Sequence, residues 1–503
     1  MTVAELLEGM TGAWPTPPVI VGGHAALAAP CVGVTHDSRR VTGGVVFVAL
    51  RGLKVDGATY APQAIASGAI AIVADQPPPT PVHAPWIVVP DARLALALLA
   101  ATFFGHPSRD MRVVGITGTN GKTTTSYLLS AIFEAAGIAC GLMGTVTYRI
   151  GSRDIDAART TPEAPELQGL MREMVSSGCG ACVMEVSSHA LALRRADGIR
   201  FAAGVFTNLT RDHLDFHADM EDYFSAKRRL FEMLPEDAPA IINVDDPRGA
   251  SLVEIAKRPV TYALSKAADV TPGPLSFSLE GLTFDVRSPQ GTVRVRSRLV
   301  GKPNVYNILA AVGTATSLGV PTPAVEQGLR QLAGVPGRFE FASTAEDDIA
   351  VIVDYAHTDD ALRNLLETAR PMARRRLITV FGAGGDRDRT KRPLMGMVAA
   401  RLSDVVVITS DNPRSEDPQR IIEEVKRGAD PETRQSNAEV IAVVDRREAI
   451  TEAIHRAQAG DVVLVAGKGH EKYQDIGGRT LSFDDVAVAR EALETRRVKL
   501  RAG

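Results

Sequence analysis

The sequence has few cysteines, no surplus of positive charge and no long apolar run, and each shortage excludes a class of protein. Four cysteines among 503 residues are too few for a disulfide framework and are typical of a reducing compartment. The 56 basic and 59 acidic residues give a formal charge of −3, so nothing indicates nucleic-acid binding. No apolar run reaches the roughly 18 residues of a membrane span, so none is expected.

The N-terminus also lacks a targeting pattern. Its first ten residues, MTVAELLEGM, contain two acidic residues and no basic segment followed by an apolar run. The sequence therefore predicts no secretory signal, and we expect a soluble, cytoplasmic protein. Cys179 and Cys182 form a lone CxxC that runs from a turn into an apolar strand. Because no second Cys or His pair accompanies it, we expect buried thiols rather than a redox or zinc site.

The pattern of apolar runs predicts an α/β fold in three domains. Short strand-like runs between Gly- and Pro-rich turns indicate a small N-terminal α/β domain over residues 1–108. From 109 to 336, strand-like runs alternate with helix-like stretches, which is typical of a mainly parallel sheet. A new alternation after the segment GVPGRFE predicts a C-terminal Rossmann-like α/β domain over 337–503. No internal repeat is present.

The strongest local motif is RVVGITGTNGKTTTSYLL, residues 112–129, an apolar strand followed by a Gly-rich turn and a helix-compatible run. This order is that of a P-loop, in which backbone N–H groups, a lysine and a hydroxyl surround nucleotide phosphates and Mg²⁺. Ile116 stands where the general motif has its first glycine. The candidate phosphate contacts are Gly118, Thr119, Asn120, Gly121, Lys122, Thr123 and Thr124. A P-loop alone leaves GTPases, motor ATPases and kinases open.

Further segments follow the P-loop in a fixed order. They are MEVSSHAL (184–191), TNLTRDHLDFH (207–217), YFSAKRRLF (223–231), GKPNVYNILAA (301–311) and DYAHTDDAL (354–362). Together with GTNGKTT they resemble the Mur ligase family, which also includes folylpolyglutamate synthase. The resemblance spans nearly the whole chain and implies a central P-loop ATPase domain that uses ATP and two magnesium ions to join a carboxylate to an amine.

The resemblance also implies roles for individual residues. The expected catalytic residues are Lys122, Glu185, His213 and Lys227. The expected magnesium ligands are Thr123, Glu185, His213 and Lys227, the last as a carbamate formed with CO₂. Further ATP contacts are expected from Asn307, Arg338, Asp354 and His357. Asp359 stands where the family usually has proline, which leaves the rigidity of that loop open.

Two segments resemble those that hold the acceptor, UDP-N-acetylmuramoyl-L-alanyl-D-glutamate. THDSRRV (35–41) lies in the N-terminal domain, which is therefore expected to bind the uridine diphosphate end, and ARTTPEAPEL (158–167) lies in the central one. With positions in MEVSSHAL and just after it, they give the expected contacts Ser38, Thr160, Thr161, Ser187 and Arg195. Leu193 stands where relatives often have a glutamine, so one hydrogen bond of the family is in doubt here.

Three C-terminal segments resemble those of family members that add meso-diaminopimelate. They are GAGGDRDRTKRP (382–393), SDNPRSEDP (410–418) and AGKGHEKYQ (466–474). The expected amino-acid contacts are Arg387, Asp411, Asn412, Pro413, Arg414, Gly467 and Glu471. A guanidinium can grip the distal carboxylate of diaminopimelate, while acidic or amide oxygens accept from its ammonium. Lysine lacks that carboxylate, so such a site would discriminate against it.

The resulting expectation is a monomeric ligase that forms an acyl phosphate on the acceptor and uses no protein nucleophile. Three alternatives stay open at this point. The chain could be a member of the same family that adds L-lysine. It could be a P-loop switch or transport ATPase, which would hydrolyse ATP without acceptor or amino acid. It could also be a nucleotide-sugar binding module without catalysis, although Lys122, Glu185, His213 and Lys227 speak against that.

Overall fold

The computed structural model describes residues 1–52, 55–80, 83–278, 281–430 and 437–502. Residue 503, the end of the predicted C-terminal range, lies outside them. The chain is a mixed α/β protein, as predicted, and its three largest sheets fall in three successive parts of the sequence. The exact domain boundaries stay a prediction.

The first sheet has five strands in the order β1-β5-β4-β3-β2, and only β1 runs antiparallel to its neighbour. Its strands β3 and β4 are buried along their whole length, which explains their continuous apolar sequences. The strands are β1 (Val19–Val21), β2 (Gly33–Thr35), β3 (Val45–Ala49), β4 (Ala71–Ala74) and β5 (Trp86–Val88); the helices are α1 (Val3–Glu8), α2 (Ala61–Ala66) and α3 (Ala92–Phe103).

The central sheet has eight strands in the order β13-β12-β11-β6-β10-β7-β8-β9, and only β8 runs antiparallel to the other strands. The strands are β6 (Arg112–Thr117), β7 (Cys140–Met143), β8 (Thr147–Ile150), β9 (Arg153–Asp156), β10 (Ala181–Glu185), β11 (Phe201–Phe206), β12 (Ala240–Asn243) and β13 (Pro259–Tyr262). The helices are α4 (Lys122–Ala135), α5 (Ala164–Ser176), α6 (Ser188–Ala192), α7 (Met220–Glu232), α8 (Gly249–Ile255), α9 (Lys302–Ser317) and α10 (Thr322–Gln331). Because β6 lies between β10 and β11, the loops that follow these three strands meet at one edge.

An antiparallel sheet interrupts the expected alternation of strands and helices before residue 336. Its strands are β14 (Thr271–Pro272), β15 (Ser276–Ser278), β16 (Gly281–Ser288) and β17 (Gly291–Ser297). In β16 and β17, buried and exposed residues alternate, and the buried side chains join the core that α4, α9 and α10 also line. The period of two was the signal for this sheet in the sequence.

The third large sheet has the order β18-β19-β23-β20-β21-β22 and is parallel except at β18. The strands are β18 (Glu340–Phe341), β19 (Ala350–Asp354), β20 (Leu377–Phe381), β21 (Val405–Ile408), β22 (Glu439–Ala442) and β23 (Val462–Ala466), and a hairpin follows as β24 (Tyr473–Ile476) and β25 (Arg479–Ser482). The helices are α11 (Asp359–Ala369), α12 (Lys391–Leu402), α13 (Pro418–Lys426), α14 (Arg446–Arg456) and α15 (Asp485–Ala502). The loops after β19, β20, β21 and β23 carry the motifs of this part.

All four cysteines are buried free thiols, as expected for Cys179 and Cys182. Across the described parts of the chain, no helix is long and apolar enough to cross a membrane.

Candidate active site

The P-loop connects β6 to α4, as predicted. Ile116 belongs to the buried strand, so the turn begins only at Gly118, which is why a glycine at 116 is not needed. Gly121 has a φ of 88°, and a Cβ there would lie 2.4 Å from Oδ1 of Asn307. Both the backbone conformation and the space therefore require glycine. The loop leads into the N-terminus of a 14-residue helix, which favours bound phosphate.

Two lysines meet beneath this loop. Nζ of Lys122 donates to the backbone oxygens of Gly118 and Thr119, both at 2.9 Å. Nζ of Lys227, on α7, donates to the same Gly118 oxygen at 2.8 Å and lies 4.3 Å from the centre of the Tyr223 ring. Burial, followed by the charge of Lys122, places the pKa of Lys227 well below its ordinary value. A neutral amine is thus favoured in this buried position.

Glu185 ends β10 and points at the start of the loop after β7. The backbone N–H of Thr145 donates to its Oε1 at 2.9 Å, and the Thr145 hydroxyl donates to Oε2 at 3.0 Å. These bonds fix a carboxylate that is almost completely buried. Burial lowers the pKa of the Lys122 amine. The charge of the nearby Glu185 opposes part of that decrease. The role of Thr145 was not predicted from the sequence.

His213 lies in the loop after β11 with a φ of 55°, and its ring packs edge-on against His189, with centroids 4.9 Å apart. Burial lowers the pKa of His213 to about 3, so the imidazole is neutral and can act as a metal ligand. Within the described ranges, no three His, Cys, Asp or Glu side chains form a metal-binding group by themselves. Magnesium at Glu185 and His213 would therefore need further oxygens, such as those of Thr123 and of nucleotide phosphates.

A cavity of about 990 Å³ unites most of the predicted nucleotide residues. From the predicted set, its lining includes Thr119, Asn120, Gly121, Lys122, Thr123, Thr124, Thr160, Glu185, Ser187, His213, Asn307, Arg338, Asp354 and His357. Lys227 lies below the P-loop rather than in the wall. The volume is sufficient for a nucleotide.

The C-terminal part closes one side of this cavity. Arg338 donates to the Thr123 hydroxyl at 3.1 Å, and its guanidinium stacks 4.4 Å from the centre of the Tyr355 ring. At the tip of the P-loop, Nδ2 of Asn120 donates to Oδ2 of Asp360 at 3.0 Å. The P-loop is therefore in direct contact with residues more than 200 positions later in the sequence. Neither Tyr355 nor Asp360 was singled out from the sequence.

The loop before α11 keeps its shape without the usual proline. Thr358 caps the helix, because its hydroxyl accepts from the backbone N–H of Ala361 at 3.2 Å. Asp359 is the first helical residue, where a negative charge is favourable. Asp354, at the end of β19, accepts from the N–H groups of Phe339 and Ala356, both at 2.7 Å. The polar geometry of this loop is thus fixed by hydrogen bonds.

The predicted acceptor contacts lie next to Glu185. The Thr161 hydroxyl donates to the backbone oxygen of Glu185 at 2.9 Å, and Thr160 and Thr145 hydroxyls are 3.1 Å apart. Arg195 pairs with Glu163 at 2.7 Å, and its buried Nε has no partner among the described residues. These groups form a polar wall between the P-loop cavity and the first sheet.

Ser38 does not line the cavity. It opens a short 3₁₀ turn, Ser38–Arg40, that follows β2. His36, two residues earlier, is close enough to Glu163 and Arg159 for their charges to affect its pKa, which burial lowers. The turn therefore faces the segment that carries Thr160 and Thr161.

The residues expected to bind the amino acid form a second cluster at the ends of β21 and β23. Nδ2 of Asn412 donates to Oε2 of Glu471 at 2.9 Å, and Nζ of Lys468 donates to Oδ1 of Asn412 at 3.0 Å. Gly467 has a φ of 118°, and a Cβ there would lie 2.5 Å from Oδ2 of Asp411. Only glycine permits this close approach. Lys468 was missed, although a lysine two residues after an apolar strand was a usable signal.

Two arginines flank Gly384 beside this cluster. A Cβ on Gly384 would lie 3.1 Å from Nη1 of Arg414 and 3.8 Å from Cγ of Arg387. Nη1 of Arg414 also donates to the backbone oxygen of Gly385 at 2.6 Å. The Arg387 side chain is about half exposed and reaches Asp215 of the central part at 3.9 Å. The Arg414 guanidinium and the stem of the Arg387 side chain thus lie on either side of Gly384, and an arginine in such a position can bind a carboxylate.

A buried ion pair supports the same cluster from below. Arg446 and Asp485 are completely buried and joined by two hydrogen bonds of 2.7 and 2.8 Å. Arg446 also donates to the backbone oxygens of Ser410 at 3.2 Å and Ala466 at 2.9 Å. It thereby ties together the two strand ends from which Asp411 and Gly467 follow.

The two sites are adjacent. The ring of Tyr355 lies in the wall of the large cavity and packs against the ring of His470, with centroids 4.9 Å apart. Glu471 and Asp411 are near enough to raise the pKa of Tyr355, although burial has the larger effect. A molecule bound at Glu471 therefore lies one aromatic ring away from the P-loop cavity.

Three family descriptions match successive parts of the chain. "Mur ligase family, catalytic domain" matches residues 31–104, "Mur ligase middle domain" matches 116–315, and "Mur ligase, glutamate ligase domain" matches 337–469. The three matches together cover most of the sequence.

Individual proteins are similar over almost the full length. The UDP-N-acetylmuramoyl-L-alanyl-D-glutamate--2,6-diaminopimelate ligase of Syntrophomonas wolfei is 47% identical over 464 residues, which is 92% of this chain and 94% of that protein. The enzyme of the same name from Geobacter metallireducens is 48% identical over 478 residues, which is 92% and 93% of the two chains.

Solved structures show the same similarity. A structure of a UDP-N-acetylmuramoyl-L-alanyl-D-glutamate--2,6-diaminopimelate ligase superposes with a TM-score of 0.67 at 35% identity, covering 95% of this chain and all of the other. MurF from Acinetobacter baumannii shares the fold at 20% identity, with a TM-score of 0.64, over 93% and 95% of the two chains. On this evidence, the chain belongs to the Mur ligase family.

Proposed function

We propose that this chain uses ATP to join meso-2,6-diaminopimelate to the D-glutamyl side-chain carboxylate of UDP-N-acetylmuramoyl-L-alanyl-D-glutamate. The reaction belongs to the synthesis of peptidoglycan precursors. With ATP and a UDP-linked acceptor as substrates, we expect the enzyme to act in the cytoplasm and as a monomer. Relatives that carry this activity in their names are 47–48% identical to the chain.

The observation that carries the proposal is that positively charged side chains beside Gly384 lie close to negatively charged side chains around Glu471. Arg414 and Arg387 flank a space that suits a carboxylate, while Glu471 and Asp411 suit an ammonium group. Diaminopimelate ends in a head group with both charges. L-lysine has no distal carboxylate, so it would give up the charged hydrogen bonds that these arginines can make to diaminopimelate. The amino-acid selectivity follows from this pairing.

The reaction needs an activated carboxylate, because an amine cannot displace oxide. The acceptor carboxylate attacks the γ-phosphorus of ATP, a new O–P bond forms, and the bond to the ADP oxygen breaks. The diaminopimelate amine then attacks the acyl carbon, phosphate leaves, and the amine loses a proton. Lys122, on the P-loop in the lining of the large cavity, would offset the charge of the two anions as they approach. No protein nucleophile takes part.

The residues fit magnesium as part of the site. Thr123, Glu185, His213 and a carbamylated Lys227 would hold two ions, which supply charge neutralisation at the transferred phosphoryl group. Two amines share the Gly118 oxygen in a buried place, so converting Lys227 to a carbamate would replace repulsion with attraction. The carbamate is part of the proposal and needs direct measurement.

We assign the substrates to parts of the chain. Residues 1–108 would bind the uridine diphosphate end through the turn at Ser38, residues 109–336 would bind ATP, and residues 337–503 would bind the amino acid. The arrangement is supported by the wall formed by Thr160, Thr161 and Arg195 between the first sheet and the P-loop cavity.

The test is ADP release by the purified protein with ATP, magnesium and the UDP-muramoyl dipeptide. Release should depend on both the dipeptide and meso-diaminopimelate, and a product with the combined mass should form. Faster release with L-lysine would show that lysine is the incoming amino acid, while the proposal that the protein is a ligase would stand. ADP release without dipeptide and amino acid would instead indicate a P-loop switch or transport ATPase.

A further inference from the structure

Lys468 is a completely buried cation for which the reaction described above has no use. It lies two residues after the end of β23, and its Nζ donates to Oδ1 of Asn412 at 3.0 Å and to Oε2 of Glu471 at 3.2 Å. The ring of Tyr473 lies 5.4 Å from the same atom. Burying an ammonium group is costly unless it is paired, so its position needs an explanation.

The hydrogen bonds of Lys468 determine how the amide of Asn412 is oriented. Oδ1 of Asn412 accepts from Nζ of Lys468 and from the backbone N–H of Asp475, both at 3.0 Å. Both partners can only donate, so the amide oxygen must face them and the amide nitrogen must face Glu471. The oxygen of Asn412 is thus already used within the protein and is not free for a ligand ammonium.

The same network orients Glu471. Its Oε2 accepts from both Asn412 and Lys468, whereas the described residues give its Oε1 no hydrogen bond. Burial and the nearby Asp411 raise the pKa of Glu471, and Lys468 opposes both effects. With Lys468 in place, one oxygen is held by the protein and the other is available for a ligand.

We propose that Lys468 is a positioning residue for the incoming amino acid, which holds one oxygen of Glu471 and directs the other, free oxygen towards the ligand ammonium. The inference rests on the proposed function. It assigns the recognition of the ammonium group to a three-residue unit, Lys468, Asn412 and Glu471, in which only Glu471 touches the ligand. Asn412 and Lys468 act through it.

The experiment is a double-mutant cycle with Lys468→Met, Glu471→Gln and the double variant. Steady-state rates are measured with diaminopimelate, ATP and dipeptide each varied. Lys468→Met should raise the KM for diaminopimelate by at least about thirtyfold, because the Glu471 carboxylate loses its charged partner. The KM values for ATP and dipeptide should change less than about threefold. The double variant should be no worse than Glu471→Gln alone.

Lys472→Met is the matched control, because Lys472 lies four residues later, is exposed and pairs with Asp484. Its kinetics should equal those of the wild type. Lys468→Gln keeps a hydrogen-bond donor without the charge and replaces the methionine variant if that one does not fold. An unchanged KM for diaminopimelate in a folded Lys468 variant, or effects of Lys468→Met and Glu471→Gln that simply multiply, would overturn the inference.

The result can be separated from a failure of the proposed function. If the wild-type protein releases ADP with another amino acid, the cycle is run with that amino acid and decides the role of Lys468 in the same way. If the wild type needs no amino acid at all, both the proposed function and this inference are wrong.

Discussion

Lys122 and Lys227 donate hydrogen bonds to one and the same atom, the backbone oxygen of Gly118. Two amines at one buried acceptor repel each other if both are charged. The arrangement becomes favourable when one of them is neutral or carries a negative group. Burial lowers the pKa of both amines, but Glu185 opposes this effect at Lys122, whereas the charge of Lys122 lowers the pKa of Lys227 further, so Lys227 is the one expected to take that role.

The first prediction concerns Lys227→Ala. Loss of this side chain should lower kcat by about 100-fold or more, because charge stabilisation at the transferred phosphoryl group is lost. Short carboxylates or bicarbonate should restore part of the rate by occupying the vacated space. Arg228→Ala is the control, because Arg228 lies next in the same helix but is exposed and pairs with Glu232. Equal losses in both variants, without rescue, would argue against a carbamate.

The second prediction concerns Lys122→Met. Because Lys122 is oriented by two backbone oxygens of the P-loop, the variant should fold normally yet lose about 100-fold or more in kcat/KM for ATP. Calorimetric titration measures how well the variant binds ATP, and a thermal unfolding curve shows whether it is folded. A wild-type rate in this variant would contradict the assignment of the P-loop as the site of phosphoryl transfer.

The third prediction concerns Arg414→Ala. The variant should raise the KM for diaminopimelate by about 30-fold, corresponding to about 2 kcal/mol for a lost charged hydrogen bond. Turnover with L-lysine, which has no distal carboxylate, should change much less. The exposed Arg420 on α13 provides the matched control, Arg420→Ala. If activity with both amino acids falls equally, Arg414 supports the loop rather than the ligand carboxylate.

The fourth prediction concerns stability in acid. Glu416 accepts two hydrogen bonds from the buried Arg392, at 2.8 and 3.1 Å, and this pairing is the main reason that its pKa falls to about 2 from an ordinary value near 4.5. A lowered pKa means that the pair stabilises the fold above about pH 4.5 and loses its effect as the pH falls towards 2.

Glu416→Gln should therefore lower the free energy of unfolding at pH 7 by about 2 kcal/mol. The variant should also lose less stability than the wild type as the pH falls from 4.5 to 2. Urea unfolding at several pH values measures both. Glu423→Gln is the control, since Glu423 is exposed and 3.9 Å from Lys426. Parallel pH curves for the Glu416 variant and the wild type would show that this ion pair does not govern acid stability.

Much of the fold could be read from the sequence because buried parallel strands are continuous apolar runs. The strands that carry the P-loop, Glu185 and Asp354 were all visible in this way. The antiparallel sheet formed by β14 to β17 was not predicted. In its two long strands, β16 and β17, only every second residue is buried, so their sequences resemble polar loops. The alternation of buried residues is the information that was overlooked.

The site could be predicted where the chemistry belongs to one short segment and not where it depends on contacts between segments. Gly118 to Thr124 form a unit whose function is encoded locally. Thr145, which fixes Glu185, and Asp360, which holds Asn120, act across 40 and 240 positions, and no local pattern marks them. Asn412 was expected to offer its oxygen to a ligand, but that oxygen is used by Lys468 and Asp475.

The buried pair of Arg446 and Asp485 also has a consequence for the order of folding during translation. The backbone oxygens that Arg446 joins belong to Ser410, just after β21, and to Ala466, at the end of β23. Its partner Asp485 is made about 75 residues after Ser410. While the ribosome is still synthesising the segment between them, this ion pair cannot form. We therefore expect the loops that follow these two strands to reach their final arrangement only after Asp485 has been made.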